Sequence, residues 1–392
     1  MEKDKKRIML IVPLLDQGGL ERVCAETAQL LKEKYLVHLV VFNTTGMIYD
    51  VTGVDMTDLN LGAVDGRIGK AVNVLRRVHR VRKLKRQLDI QLSYSFGPTA
   101  NIVNVLSKCR DITWAGIRGY GALSSKGSMR LICGLADRVV CCTRVMEQEI
   151  AMRFHVNSIS TLYNPCDLTG ITQLTCQTVP EVFRTFLERP GKTVAAMGRA
   201  HDVKGFWHLI KSFYLVKKQI PELKLMIIGD GNYSEYEELA RALGISDAVL
   251  FTGVLQNPFC LLAKADLYAL TSESEGFPNA LIEAMACNIP CISVNCKTGP
   301  AEILQENYRI CADQHKVYHA DYGILMPVFQ GEKNLEADIF SVEEEIFAQE
   351  MEKILTDDRL YMHYKEMAVK RAKAFGTQGY LNSLVKMIEE EW

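Results

Sequence analysis

The sequence predicts two successive parallel α/β domains, and three observations predict it. Apolar, β-rich runs alternate with helical patterns along most of the chain, the signature of parallel sheets joined by crossover helices. At 392 residues the chain is too long for one ordinary core. Glycine-rich turns directly follow several strand runs, where doubly wound sheets place their ligands. A hydrophobic content of 48% with 24% charged residues excludes disordered and fibrous classes.

The elements follow in order. "RIMLIVPLL", "YLVHLVVFN", "DIQLSYS", "ITWAGI", "RVVCCT" and "SISTLYN" read as the strands of a first sheet. Between the first two, "GGLERVCAETAQLLKEK" is an amphipathic helix. Residues 168–190 are polar, lack clear periodicity and end in "LERPGK", so they read as a connector. A second alternation follows: "TVAAMGR", "LKLMIIGDG", "AVLFTGV", "ADLYALTS" and "PCISVN". The tail from "SVEEEIFAQEMEKIL" onward is helical and carries no strand pattern. Two doubly wound sheets in tandem are expected to face a cleft.

Net charge is −1, yet it is unevenly spread. Residues 1–165 hold 24 Lys and Arg against 15 Asp and Glu, a balance of +9, which leaves 22 against 32 and −10 for the remainder. The first half is therefore expected to meet something anionic. The twelve cysteines show no zinc spacing and no C-x-x-C; those such as Cys24, Cys133 and Cys291 lie in apolar runs and read as core thiols in a reducing compartment. The start "MEKDKKRIMLIVPLLDQGG" has an apolar run of eight residues, too short to span a bilayer, and reads as a first buried strand. A cytoplasmic protein is expected.

Three segments carry the chemistry. "DQGGLERV" follows the first strand, and Gly18 and Gly19 allow a tight turn and a close approach to an anion or sugar. It is not G-x-G-x-x-G, and a plain strand-to-helix turn accounts for it equally well. "GRAHDVKG" follows the first strand of the second half. There Gly198 permits a close turn while Arg199 offers a planar donor fork and Lys204 a point charge, a set suited to a diphosphate; two solvated basic residues are the plainer alternative. "SESEGFPNALIEAMA" places Glu275 at a strand end, then a helix starting near Pro278, with the amides of Gly276, Phe277 and Asn279 exposed at its N-terminus. Glu283 lies further along that helix, where a carboxylate accepts hydrogen bonds from the vicinal hydroxyls of a sugar. A structural acid paired to a cation is the alternative.

A fourth segment, "RIGKAVNVLRRVHRVRKLKRQ" (residues 67–87), has nine Lys and Arg, one His and no acid, with Ile68, Ala71, Val72, Leu75 and Val78 at helical spacing. It reads either as a helix with its apolar side in the core or as a basic amphipathic helix on an anionic membrane. Nucleic acid is the weaker reading, because no aromatic residues interleave with the charges.

The ordered set "GGLER", "GRAHDVKG", "IIGDG", "SESEGFPNALIEAMA", "TGPAEIL" and "YGILMP" resembles the retaining glycosyltransferases of family 4, and within them the subgroup that builds bacterial surface polysaccharides. The two glutamates with seven residues between them are that family's hallmark spacing. The resemblance implies the GT-B fold, two Rossmann-like domains facing a cleft: an acceptor domain over residues 1–167, the connector 168–190, a nucleotide-sugar domain over 191–372, and a C-terminal helix, 373–392, packing back on the first domain. It implies transfer of a hexose or N-acetylhexosamine from a UDP- or GDP-sugar to a glycan acceptor, expected to be lipid-linked. Arg199, Lys204 and Glu275 would be the catalytic set, the first two neutralising the leaving diphosphate with no metal and no cofactor. Glu283 would hold the ribose; Glu275 and the backbone from Gly276 through Pro278 to Asn279 the donor sugar; Gly18, Gly19 and Gly198 the diphosphate region; Val254 and Leu255 the base. Front-face attack, with the leaving phosphate oxygen taking the acceptor's proton, needs no general base.

Two positions depart from the family pattern. Where many relatives carry a sugar-contacting His, this chain has Arg118 in "WAGIRGYG", a candidate for a sugar hydroxyl or a phosphate but not for a base. Asn288 stands where relatives commonly have Gly, and Asn tolerates the left-handed backbone such a site uses. Rival readings are a nucleotide-sugar epimerase of the same fold, a non-catalytic scaffold, and a dinucleotide oxidoreductase, the last weakened by the missing G-x-G-x-x-G.

Overall fold

The computed structural model describes residues 5–16 and 18–392. The chain divides into two compact units, one formed by the chain up to Pro165 together with Thr377–Trp392, the other by Cys166–Gly376.

Among the described residues, the first unit holds a seven-stranded sheet of β1 (Arg7–Val12), β2 (Leu36–Val41), β3 (Asp55–Asp58), β4 (Leu92–Phe96), β5 (Ile112–Ile117), β6 (Arg138–Cys141) and β7 (Ile159–Thr161). They run in the order β3-β2-β1-β4-β5-β6-β7, and every pairing is parallel. The central strand β1 is buried from Ile8 to Val12, and its side chains alternate between two cores. Ile8, Leu10 and Val12 pack with helices Gly19–Leu31 and Thr377–Glu389, whereas Met9 and Ile11 pack with Val81, Ala100 and Val103 on the other face. A strand covered on both faces favours apolar side chains throughout, which is why β1 reads as an unbroken hydrophobic run. The C-terminal segment belongs to this unit because Tyr380, Leu384 and Ile388 fill its core, Thr27 and Tyr380 hydroxyls bond at 2.7 Å, and Arg138 Nε meets Glu391 at 2.7 Å.

The second unit repeats the plan with β8 (Thr193–Met197), β9 (Lys224–Ile228), β10 (Val249–Phe251), β11 (Leu267–Leu270), β12 (Cys291–Val294), β13 (Tyr318–His319) and β14 (Ile324–Met326), ordered β10-β9-β8-β11-β12-β14-β13. All pairings are parallel except β13 against β14. Helix Phe206–Lys217 covers β8, burying Phe206, Leu209, Ile210 and Phe213 against Val194 and Ala196. Two Rossmann-like parallel α/β units are thus present, as the strand alternation predicts.

Several local expectations change. Residues 168–190 do not stand apart as a connector: they form helices Leu168–Thr175 and Glu181–Leu187 within the second unit, and each is too short to print a helical period. Residues 373–376 fall in the second unit, so the returning segment starts at Thr377 rather than 373. Strands β3, β13 and β14, of four, two and three residues, are additional to the runs read from the sequence. Asn288 takes φ +63°, the left-handed position its residue type suggests. The thiols are free; Cys176 is exposed, Cys109 and Cys287 are half-buried, and the others are buried.

The basic helix Arg67–Gln87 meets the core through buried Val81, with Val74, Val78 and Leu84 packed against the same cluster, and it buries polar side chains on that side as well. Its buried positions are Asn73, Arg77, Val81 and Lys85, while Ile68, Val72 and Leu75 stand 82%, 40% and 66% exposed. The buried cations are consumed by structure. Arg77 donates to the carbonyls of Leu61 (2.9 Å) and Gly62 (2.8 Å) and lies over the Phe42 ring. Lys85 Nζ pairs with Asp111 at 2.8 Å, both side chains fully buried, and donates to Asn104 Oδ1 at 2.7 Å. Arg80 and Arg82 also donate to carbonyls, those of Leu59 and Leu106. Arg67, Lys70, Arg76, Lys83 and Arg86 remain exposed.

Candidate donor-binding site

Two loops of the second unit, leaving the carboxyl ends of β8 and β11, are stitched together by their own backbone. Strand β8 runs into Gly198 and Arg199, then a single tight turn Asp202–Lys204 leads through Gly205 into helix Phe206–Lys217. Glu273 N donates to Val203 O at 2.8 Å, and Thr271 Oγ1 donates to Lys204 O at 2.9 Å. Gly205 is required where the loops meet: its φ is +59°, and a Cβ would lie 2.4 Å from Thr271 O. Gly198 N donates to Ile228 O at 2.9 Å and Ala200 N to Asp230 O at 2.7 Å, so the neighbouring β9 loop supports the same turn.

This stitching brings the predicted cation and acid together. Lys204 Nζ lies 2.7 Å from Glu275 Oε1, with the side chains 24% and 12% exposed. Arg199 is exposed and makes no ion pair among the described residues. Glu275 is also held from behind, because Thr298 Oγ1 donates to its carbonyl. The next residue, Gly299, sits at φ +95°, where a Cβ would come within 2.8 Å of Gly276 O and 2.5 Å of Pro278. Thr298 and Gly299 therefore fix the Gly276–Pro278 turn, a role that their place in "TGPAEIL" does not reveal.

The helix after this turn runs Asn279–Ala286, with Pro278 as its cap, one residue later than the sequence suggests. Phe277 is buried edge-on against Phe375, ring centres 5.3 Å apart, so its contribution to the site surface is its backbone. Glu283 is buried on this helix. Its charge is felt by Cys287, whose thiol is pushed up to about 12, first by burial and then by the Glu283 carboxylate. Val254 is exposed and Leu255 half-buried in the loop after β10, on the same carboxyl edge of the sheet.

The first unit holds the other predicted residues. Gly18 has an extended backbone, φ −169°, so its dihedrals do not demand glycine, and the atom a Cβ there would meet is the movable end of the Glu21 side chain. Gly19 opens the helix Gly19–Leu31. Arg118, at the end of β5, is buried rather than presented to solvent. Its guanidinium donates to Asn164 Oδ1 at 2.8 Å, to Leu162 O at 3.2 Å and to the Tyr94 hydroxyl. Burial pushes the Tyr94 phenol up, and the Arg118 charge opposes that. This arginine is spent on organising the strand ends, which a one-letter comparison with a histidine cannot foresee.

The β8 loop carries two cations, Arg199 and Lys204, and the β11 loop a carboxylate and a helix start, a set of groups that suits an anion, with the buried Glu283 further along that helix. Residues 181–324 match the family described as glycosyl transferases group 1. The chain is 30% identical over 260 residues, 65% of its length, to an uncharacterized glycosyltransferase of Methanocaldococcus jannaschii, and the match covers 64% of that protein. It is 24% identical over 387 residues to the N-acetylgalactosamine-N,N'-diacetylbacillosaminyl-diphospho-undecaprenol 4-alpha-N-acetylgalactosaminyltransferase of Campylobacter jejuni, covering 94% of this chain and 96% of that one. In fold it is similar to Anabaena HepE in complex with UDP and glucose, with a TM-score of 0.74 at 17% identity over 98% of this chain and 100% of that one. Sucrose-phosphate synthase from Thermosynechococcus elongatus superposes with a TM-score of 0.75 at 16% identity, over 98% and 99% of the chains.

Proposed function

We infer the function from one premise: residues 181–324 belong to the glycosyl transferases group 1 family, on a chain of two Rossmann-like units. The chain is a glycosyltransferase that moves a hexose or N-acetylhexosamine from a nucleotide sugar to a glycan, with retention, in surface polysaccharide biosynthesis. The observation that carries this reading is the Lys204–Glu275 pair at the stitched ends of β8 and β11, with Arg199 exposed at the start of the same loop.

In the proposed mechanism Arg199 and Lys204 bind the donor diphosphate and take up the negative charge that grows as the glycosidic bond breaks. Charge that develops in the transition state is where fixed donors are worth most. The acceptor hydroxyl attacks from the face the nucleotide leaves, passing its proton to the departing phosphate oxygen. The amides of Gly276, Phe277 and Asn279 and the Glu275 carboxylate orient the sugar, and Glu283 accepts from the ribose hydroxyls. Two cations do the work of charge neutralisation, so the reading requires no metal. UDP is the base-bearing group to try first, since the solved relative named above holds UDP and glucose.

The test is a thermal-shift panel of UDP, GDP, ADP, TDP, NAD and their sugars, because a ligand of the native state raises the melting point by mass action. A selective shift with one nucleoside diphosphate, lost in Glu283→Ala, supports the donor site. A shift with NAD alone, or none with any nucleotide, overturns it. Formation of an isomerised nucleotide sugar without acceptor would identify an epimerase instead.

The acceptor is proposed to be lipid-linked and reached at an anionic membrane surface. The support is the helix Arg67–Gln87, whose outward row Ile68, Val72 and Leu75 is apolar and whose exposed Arg76, Lys83 and Arg86 carry no acid between them. Among the described residues no helix is long and apolar enough to cross a membrane. A peripheral seat on this helix, on the inner face of the plasma membrane, meets the acceptor without one.

A further inference from the structure

Lys333 lies outside every motif discussed above, in the segment between β14 and helix Val342–Thr356. Its Nζ sits 2.7 Å from Asp202 Oδ1 and is shared with the Glu235 carboxylate. The stem runs past the rings of Tyr236 and Trp207, with Nζ 5.6 and 5.8 Å from their centres, and the side chain is only 25% exposed. Burial works to lower its pKa, and the two carboxylates outweigh that and hold it above the usual lysine value. The segment itself is fixed to helix Phe206–Lys217, which begins at Gly205. Phe329 stacks on His208 at 3.9 Å with the rings 8° from parallel, and Lys211 Nζ donates to Ile339 O at 2.9 Å.

Asp202 is the only acid between Gly198 and Gly205, three residues after Arg199 and two before Lys204. Left alone it would present a negative charge to an incoming diphosphate and compete for the cations meant to bind it. Lys204 is already engaged by Glu275, so Arg199 is the cation whose freedom matters. The acid nearest to it in its own loop is the one that Lys333 occupies.

We propose that Lys333 is a positioning residue of the donor site: by sequestering Asp202 against Glu235 it leaves Arg199 free for the donor diphosphate. The inference rests on the donor-site reading above. Its range is electrostatic and local, since both partners of Lys333 are half or more exposed, at 64% and 58%, and a modest effect is expected.

The experiment measures nucleoside diphosphate affinity by calorimetry, donor KM, kcat and Tm on the full chain for wild type, Lys333→Met, Lys333→Arg, Asp202→Asn and the Lys333→Met/Asp202→Asn double variant. Lys333→Met is expected to weaken the nucleotide and raise donor KM about three- to tenfold, with kcat within about twofold. Lys333→Arg keeps the charge and is expected to keep wild-type affinity. The decisive variant is the double one: removing the carboxylate that Lys333 restrains is expected to restore affinity to within about twofold. A merely structural lysine would lower Tm and would not be rescued by removing a charge from its partner. Unchanged affinity in Lys333→Met, or no recovery in the double variant, overturns the proposal. A wild-type chain that binds no nucleoside diphosphate overturns the donor reading itself, and the wild-type titration alone tells the two failures apart.

Discussion

Glu275→Gln tests whether the carboxylate beside Lys204 competes with the donor's phosphates. The two groups are 2.7 Å apart with side chains 24% and 12% exposed, so the pair is neither fully solvated nor fully dry. At an effective dielectric near 20 the gross attraction at that distance is about 6 kcal/mol. Rehydration of the separated charges returns most of it, leaving about 1–2 kcal/mol for a pair of this exposure. A nucleoside diphosphate must share Lys204 with Glu275 or displace it. The amide keeps the shape and one acceptor oxygen but removes the charge, so the variant should bind the nucleoside diphosphate about 5- to 30-fold more tightly. Transfer should slow, because the carboxylate that orients the donor sugar is gone. Calorimetric titration gives the first quantity and product formation at saturating donor the second. Nucleotide affinity that is unchanged or weaker in Glu275→Gln would refute the competition and move the diphosphate away from Lys204.

Gly205→Ala forces a Cβ at φ +59° to within 2.4 Å of Thr271 O, so a stability loss of about 2–3 kcal/mol and loss of nucleotide binding are expected from thermal melts with and without ligand. Lys85→Met leaves Asp111 buried without its cation and should cost about 3–5 kcal/mol at neutral pH, read from denaturant titrations. The wild-type Asp111 pKa is held below its ordinary value: burial raises it, and the Lys85 charge and hydrogen bonds outweigh that. Its stabilisation is therefore present above about pH 4 and lost as pH falls through the folded value, so the gap between Lys85→Met and wild type should narrow in acid. On anionic vesicles, Arg76→Ala, Lys83→Ala and Arg86→Ala combined should weaken flotation about 100-fold at low salt, and Ile68→Asp with Leu75→Asp should abolish it. Equal flotation of all variants would remove the membrane from the account.

Much of the fold and of the site is legible in the sequence because the signals are local and strong. A strand covered on both faces shows as a continuous apolar run, and β1 and β9 announce themselves in "RIMLIV" and "KLMII". Gly205, which closes "GRAHDVKG", marks a left-handed turn where a Cβ would strike Thr271 O. The residues that escape attention do so because their meaning lies in distant partners. Arg118 looks like a surface reader of sugar until Tyr94 and Asn164 are found around it, and Lys333 looks like a loop lysine until Asp202 is found 131 residues away.

The sequence by itself determined the two parallel α/β units, the order of their central strands' motifs, and the presence of a cationic loop and a glutamate loop at strand ends, since each depends on residue types within one short segment. Only the tertiary structure decided the direction of the basic helix. Its apolar residues carry helical spacing whichever way it is rolled, and periodicity cannot say which side meets the sheet. Arg77 and Lys85 turn inward because the carbonyls of Leu61 and Gly62 and the carboxylate of Asp111 wait there for donors, and satisfying those buried groups outweighs exposing Ile68 and Leu75 to water.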